Sequence, residues 1–192
     1  MKTFGITFRS YSKASLILRN PMEEQTNILG IPVPSSNPVF LTFVVVHILI
    51  ALVCVASGLL AMLTQKTNPK HPNFGKIYYW SMLFAFVSVI ILSVMRWPHN
   101  IHLLSIGTLA IIFTCAGRWI AQRKRSNWTR LHTICMGVSY ILLLTGFYVD
   151  NGKNLPFWRM FPQWFFWVFP SAIGIPVILY VLKRHPLNQA RN

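Results

Sequence analysis

Five long apolar runs, separated by short polar segments, dominate the pattern of hydrophobic and polar positions along the chain. They cover about residues 40–63, 72 or 77–95, 101–121, 128–149 and 164–182. Each run supplies the roughly 20 apolar residues that cross a bilayer at about 1.5 Å per residue. Because backbone N–H and C=O groups must pair within their own segment in lipid, each run is predicted to be a helix.

The linkers between these runs are only about 5 to 14 residues long, so consecutive helices are predicted to be antiparallel neighbours. The predicted fold is an all-α integral membrane protein with five transmembrane helices in an up-and-down bundle. Residues 1–38 are expected to form a flexible extracytoplasmic tail, 39–184 the transmembrane domain and 185–192 a cytoplasmic tail.

The composition excludes a soluble globular domain. Hydrophobic residues make up 54% of the chain and charged residues 11%, against about 25% charged in typical soluble domains. The three acids are Glu23, Glu24 and Asp150, which excludes chemistries that need two carboxylates in one site, such as glycoside hydrolysis. The three cysteines lie inside apolar runs and are predicted to be packing residues.

The net charge of +15 comes from basic residues that cluster in short segments between the apolar runs. This distribution favours basic loops on one side of a lipid bilayer and excludes nucleic acid as a partner. Segments 65–76 and 122–130 and the tail after 182 hold ten lysines and arginines on one side. The positive-inside rule places that side in the cytoplasm, with the N-terminus outside and the C-terminus inside.

Histidine is the main source of chemistry in a chain with so few acids. The six are His47, His71, His99, His102, His132 and His185. Each of the first four helices carries one candidate, and these alternate between the outer and the inner end. Helices one and three pair His47 with His102, and helices two and four pair His71 with His132. A b-type haem needs two facing imidazoles, so these four residues are the predicted cofactor and metal ligands for one or two haems.

Other interpretations of the histidines stay open at this point. His99 and His102 are spaced i, i+3, and together with His47 they offer three nitrogens to zinc or copper. Histidines near helix ends also bind water, lipid headgroups or backbone carbonyls without any cofactor. His47 lies deepest, so we expect it to point towards the third helix and to bind haem or a metal, or to hydrogen-bond across helices.

Several other side chains have predicted contacts. Asp150 is expected to pair with Lys153 or Arg159, and Gly75 and Gly137 to permit close approach of a helix or a flat cofactor. Three basic residues at the inner ends of the helices are candidate partners for haem propionates, namely Lys76, Arg118 and Arg130. The simpler expectation is that their side chains extend towards lipid phosphates.

Three motifs resemble one known family. They are residues 71–78 (HPNFGKIY) followed by Met82, residues 131–140 (LHTICMGVSY) and residues 148–152 (YVDNG). The chain from about residue 40 to 182 resembles the DUF2306 family of small predicted bacterial membrane proteins. The resemblance implies an integral membrane protein with histidines at the helix mouths and assigns no activity. The arrangement of one histidine per helix is also similar to the cytochrome b561 architecture, in which two haems lie on opposite sides of a four-helix core.

These observations favour a haem-binding electron-transfer or oxidoreductase subunit that works with a membrane redox partner or a quinone. A non-catalytic scaffold or accessory protein and a small metal-handling transporter are the alternatives. The pattern does not decide whether the chain is an enzyme.

Overall fold

The computed structural model describes residues 26–28, 31–33 and 37–184, with the two short segments and residue 184 described by their backbone only. Most of the predicted N-terminal tail, the predicted C-terminal tail and His185 therefore lie outside the described residues. Strands β1 (Thr26–Ile28) and β2 (Ile31–Val33) form a small antiparallel hairpin in which Thr26 is opposite Val33. The sequence pattern did not predict this hairpin.

The rest of the described chain consists of five long helices joined by short turns. They are α1 (Pro38–Leu63), α2 (Lys70–Met95), α3 (Ile101–Arg123), α4 (Trp128–Asn151) and α5 (Gln163–Arg184). Each is long and apolar enough to cross a membrane. The five predicted spans are confirmed to within a few residues at each end, and so is the all-helical membrane fold.

Local sequence explains where several helices begin and end. The Asn37 side chain accepts a hydrogen bond from the Val39 N–H (2.9 Å) and caps α1. Asn68 caps α2 in the same way through the Lys70 N–H (2.9 Å). The turn between α3 and α4 is tight because Lys124 (φ 46°) and Asn127 (φ 60°) both adopt left-handed backbone conformations.

Three of the four predicted neighbour pairs pack closely, namely α2 against α3, α3 against α4 and α4 against α5. Helix α1 meets α2 through side chains, such as His47 and Ser88. Helix α1 also contacts α4, since the Tyr140 hydroxyl donates to the Val55 carbonyl at 3.2 Å. The buried core lies between α1, α2 and α3 and is extended by side chains from α4; its fully buried members are Cys54, Tyr78, Met82, Ala110 and Ile111. Cys54 is a free thiol that fills this core, as predicted. Cys135 is half-buried, and the prediction of a packing role is wrong for Cys115, which is exposed.

Buried hydroxyl groups satisfy most of their hydrogen bonds within their own helix. Ser88, Thr114, Ser139 and Thr145 each donate to a carbonyl three or four residues earlier, which lets a polar side chain lie inside an apolar bundle. Among the described residues, the Ser93 hydroxyl is the one buried side-chain polar atom without a hydrogen-bond partner.

Glycines set the closest helix contacts. A Cβ atom added at Gly137 would lie 2.6 Å from Ile178 Cδ1 on α5, so close packing at Gly137 is confirmed. The expectation that a helix packs closely at Gly75 is wrong, because an added Cβ there meets nothing within 4 Å. The close contact of α1 with its neighbours is instead at Gly58, which faces the rings of Tyr78 and Tyr140.

Candidate histidine sites at the two ends of the bundle

The structure brings His71 and His132 together. His71 lies in the first turn of α2 and His132 near the start of α4, so two helices that run in the same direction bring one imidazole each to the same layer. The ring centroids are 6.5 Å apart and the ring planes meet at 79°. The predicted meeting of these two residues is confirmed.

A backbone carbonyl holds each ring of this pair through its Nδ1 atom. His71 Nδ1 is 2.9 Å from the Ala61 carbonyl oxygen, and His132 Nδ1 is 2.9 Å from the Gly117 carbonyl oxygen. A carbonyl oxygen only accepts, so each Nδ1 carries the proton and donates it. The Nε2 lone pair of both neutral rings is therefore the atom left for a ligand.

Both carbonyls are accessible for a physical reason. Ala61 lies among the last four residues of α1, whose carbonyls have no partner within the helix. Gly117 has no side chain, and a Cβ added there would lie 2.7 Å from Met136 Sδ on α4. This close approach of α3 and α4 lets His132, one turn before Met136, reach the Gly117 carbonyl.

The donor set suits a ligand held by two imidazoles. Metal–nitrogen bonds are about 2.0–2.1 Å long, so two imidazoles on opposite sides of one metal ion have centroids about 6 Å apart. The observed 6.5 Å is close to that distance. In the described part of the chain, no group of three or more His, Cys, Asp or Glu residues could hold a metal ion. The 6.5 Å separation and the 79° angle between the ring planes also describe two rings in direct edge-to-face contact.

A lysine that the sequence pattern did not suggest approaches the same pair. Lys66, in the turn between α1 and α2, donates from Nζ to Thr133 Oγ1 on α4 at 2.9 Å. Its charge also interacts with the neighbouring His132. Although part of the Lys66 side chain is exposed, desolvation lowers the pKa of its ammonium group.

At the opposite end of the bundle, His47 hydrogen-bonds across helices to Ser88 on α2, with 2.7 Å between Nδ1 and Oγ. Ser88 Oγ donates its own proton to the Ala85 carbonyl at 2.7 Å, so it accepts from His47 and leaves His47 Nε2 as the free lone pair. The predicted cross-helix bond is confirmed, but the prediction that His47 points towards α3 is wrong for this contact.

Asp150, near the end of α4, lies at the same end of the bundle as His47 and His102. Its carboxylate interacts electrostatically with His102, His47 and Arg96, whereas Lys153 Nζ donates to the Phe161 carbonyl at 2.6 Å. The predicted ion pair of Asp150 with Lys153 or Arg159 is therefore not formed among the described residues. The sequence pattern did not predict this group of residues. The one sequence feature that indicates it is the alternating direction of the helices, which brings the ends of α2 and α4 and the start of α3 to the same end of the bundle.

The other predicted ligands are not assembled into a metal site. His99 is exposed in the turn before α3, and it does not combine with His47 and His102 into a group that could hold a metal ion. The ring of His102 instead lies 6.3 Å from that of Trp167 on α5. At the other end, the Arg118 guanidinium stacks over the Tyr79 ring at 4.4 Å.

The comparisons with known proteins agree with this architecture. A family model described as DUF2306, predicted membrane protein, matches residues 44–178. Searches of curated proteins and of solved structures returned no match. The matched region covers well over half of the chain and includes all four candidate histidines, so the protein belongs to the DUF2306 family of predicted membrane proteins.

Proposed function

We propose that this integral membrane protein is an electron-transfer protein or a membrane subunit of an oxidoreductase, and that it binds a b-type haem between His71 and His132. The observation that carries the proposal is the pair of imidazoles 6.5 Å apart, each with its Nδ1 on a carbonyl and its Nε2 available. A haem bound there would supply one-electron redox chemistry at its iron.

The protein's own contribution is to hold the two ligands. Hydrogen bonds from Nδ1 to the carbonyls of Ala61 and Gly117 fix the tautomer and the direction of each ring, as outer partners do at many metal-binding histidines. Because Ala61 and Gly117 belong to α1 and α3, the positions of all four helices determine the geometry of the pair.

If the protein binds two haems per chain, we propose that the second haem binds at the outer end of the bundle. His47 Nε2 is uncommitted, and the charge of Asp150 interacts with both His47 and His102. The architectural similarity to cytochrome b561 remains a prediction. We place the protein in the plasma membrane of a bacterium, with the His71–His132 pair on the cytoplasmic side and a membrane redox protein or a quinone as the electron partner.

The test is the absorption spectrum of the protein purified in detergent after expression with an adequate haem supply. We expect a Soret band and a pyridine haemochrome of haem b at one or two haems per chain. His71→Ala and His132→Ala should each abolish the haem of the inner pair while the protein remains inserted. His99→Ala is the matched control, because His99 is exposed and outside both histidine groups, and it should leave the spectrum unchanged.

His47 distinguishes one haem from two. If a second haem binds at the outer end, His47→Ala should remove about half of the haem absorbance. If one haem binds at the inner pair alone, His47→Ala should leave the absorbance intact.

One observation favours a structural role for the same pair, because the bond from His71 to Ala61 completes the end of α1. A colourless wild-type protein whose melting temperature falls in His71→Ala would support the scaffold function and exclude the haem. A colourless protein with stoichiometric zinc or copper would support the metal-handling alternative.

A further inference from the structure

The Lys66 ammonium group lies at the mouth of the His71–His132 pair without an acidic partner among the described residues. Its hydrogen bond goes to Thr133 Oγ1 at 2.9 Å. That hydroxyl donates its proton to the Thr129 carbonyl at 2.9 Å, so it accepts from Lys66 and contributes no charge. Thr133 directly follows His132 on α4, and the Lys66 charge acts on the His132 ring, so the ammonium group lies near the imidazole pair.

The charge of this region is unbalanced. Lys66, His71 and His132 are all nitrogen bases. The one carboxylate among the residues whose side chains the structure describes, Asp150, is 17 residues further along the chain from Thr133, about 25 Å away along a helix. A cation that is partly removed from water is stabilised by an anion that can accept its remaining N–H bonds.

We propose that Lys66 binds an oxyanion, a carboxylate or a phosphate, of the ligand that occupies the mouth of the His71–His132 pair. If the oxyanion is a carboxylate, it is a propionate of the bound haem, and this case rests on the proposed function. If the oxyanion is a phosphate, it belongs to a lipid headgroup, and this case does not depend on haem. Either oxyanion would accept hydrogen bonds from the N–H groups of Lys66 that do not donate to the Thr133 hydroxyl.

Other basic residues near this end are poorer candidates. The Arg118 guanidinium lies over the Tyr79 ring. Lys76 lines an apolar surface groove between α1 and α2, together with Leu49 and Trp80. Lys66 is the lysine whose charge acts on His132.

The first experiment titrates haemin and its neutral dimethyl ester into protein purified without haem, and follows the Soret band. Wild-type protein should bind haemin about tenfold more tightly than the ester, the contribution of one charge-assisted hydrogen bond. Lys66→Met should lose this preference while its affinity for the ester is unchanged. Lys66→Arg should retain the preference, and Lys76→Met is the matched control that should behave as wild type.

The second experiment measures bound lipid by native mass spectrometry, in phosphatidylglycerol and in phosphatidylcholine. Retention of phosphatidylglycerol that is reduced in Lys66→Met but not in Lys76→Met identifies a lipid phosphate as the anion. This result supports the inference even when no haem binds and the proposed function has failed.

The inference is overturned if Lys66→Met and Lys76→Met behave alike in both experiments, whether or not the wild-type protein has a Soret band. All variants are compared as monodisperse fractions, so a difference in folding is not mistaken for a difference in binding.

Discussion

Gly58→Ala should loosen the contact of α1 with the rest of the bundle. The added Cβ would lie 2.7 and 2.8 Å from two ring carbons of Tyr140 and 2.9 Å from a ring carbon of Tyr78. The shortest of these distances is about 0.8 Å below the roughly 3.5 Å at which two carbon atoms make favourable contact.

Neither ring can move away at low cost. The Tyr140 hydroxyl donates to the Val55 carbonyl on α1 at 3.2 Å. The Tyr78 hydroxyl is 2.9 Å from Ser139 Oγ, and the Tyr78 side chain is 2% exposed. The backbone of α1 must therefore shift, and overpacking of this kind typically costs about 1–3 kcal/mol. Because Ala61 lies one turn after Gly58, the shift should also weaken the bond to the His71 ring.

The assay compares apparent melting temperatures in detergent, with labelling of the buried Cys54 thiol as the report of unfolding. Gly75→Ala is the matched control, since it makes the same change within a helix where the added Cβ meets nothing within 4 Å. Gly75→Ala should stabilise the protein by about 0.5–1 kcal/mol through helix propensity, whereas Gly58→Ala should destabilise it. Equal melting temperatures for the two variants would refute the packing argument.

The remaining predictions concern orientation, charge and hydrogen bonding. In intact cells, an impermeant thiol reagent should label Asn154→Cys and fail to label Ser126→Cys; labelling of the second variant from outside contradicts the N-out, C-in topology. Asp150→Asn should not lower the melting temperature, because desolvation of the carboxylate is a larger effect than its attraction to His102, His47 and Arg96. Asn154→Ala, at an exposed position just after α4, is its control, and a melting temperature that falls in Asp150→Asn alone would contradict this expectation. Tyr78→Phe should cost about 0.5–1.5 kcal/mol of unfolding free energy through the lost bond to the serine on α4; a variant as stable as wild type contradicts that role.

The number of transmembrane helices, their approximate bounds and their order all follow from the sequence alone. Each apolar run is long enough to span lipid, and a spanning backbone must satisfy its hydrogen bonds as a helix. Short linkers then fix alternating directions and the approximate depth of each residue. Depth and direction sufficed to predict that His71 and His132 meet in one layer, which the structure confirms.

Which neighbour each side chain faces depends instead on the packing of the helices against one another. The rotation of a soluble helix follows from the contrast between an apolar and a polar face, but α1 is apolar on all sides. Its exposed residues Val45, Leu49 and Leu52 are as hydrophobic as the buried Cys54. The sequence therefore did not reveal that His47 bonds to α2, that Gly58 and not Gly75 makes the close contact, or that Lys66 reaches α4 beside His132. Those contacts depend on how side chains interlock between helices, and the spacing of apolar residues along one helix does not encode that fit.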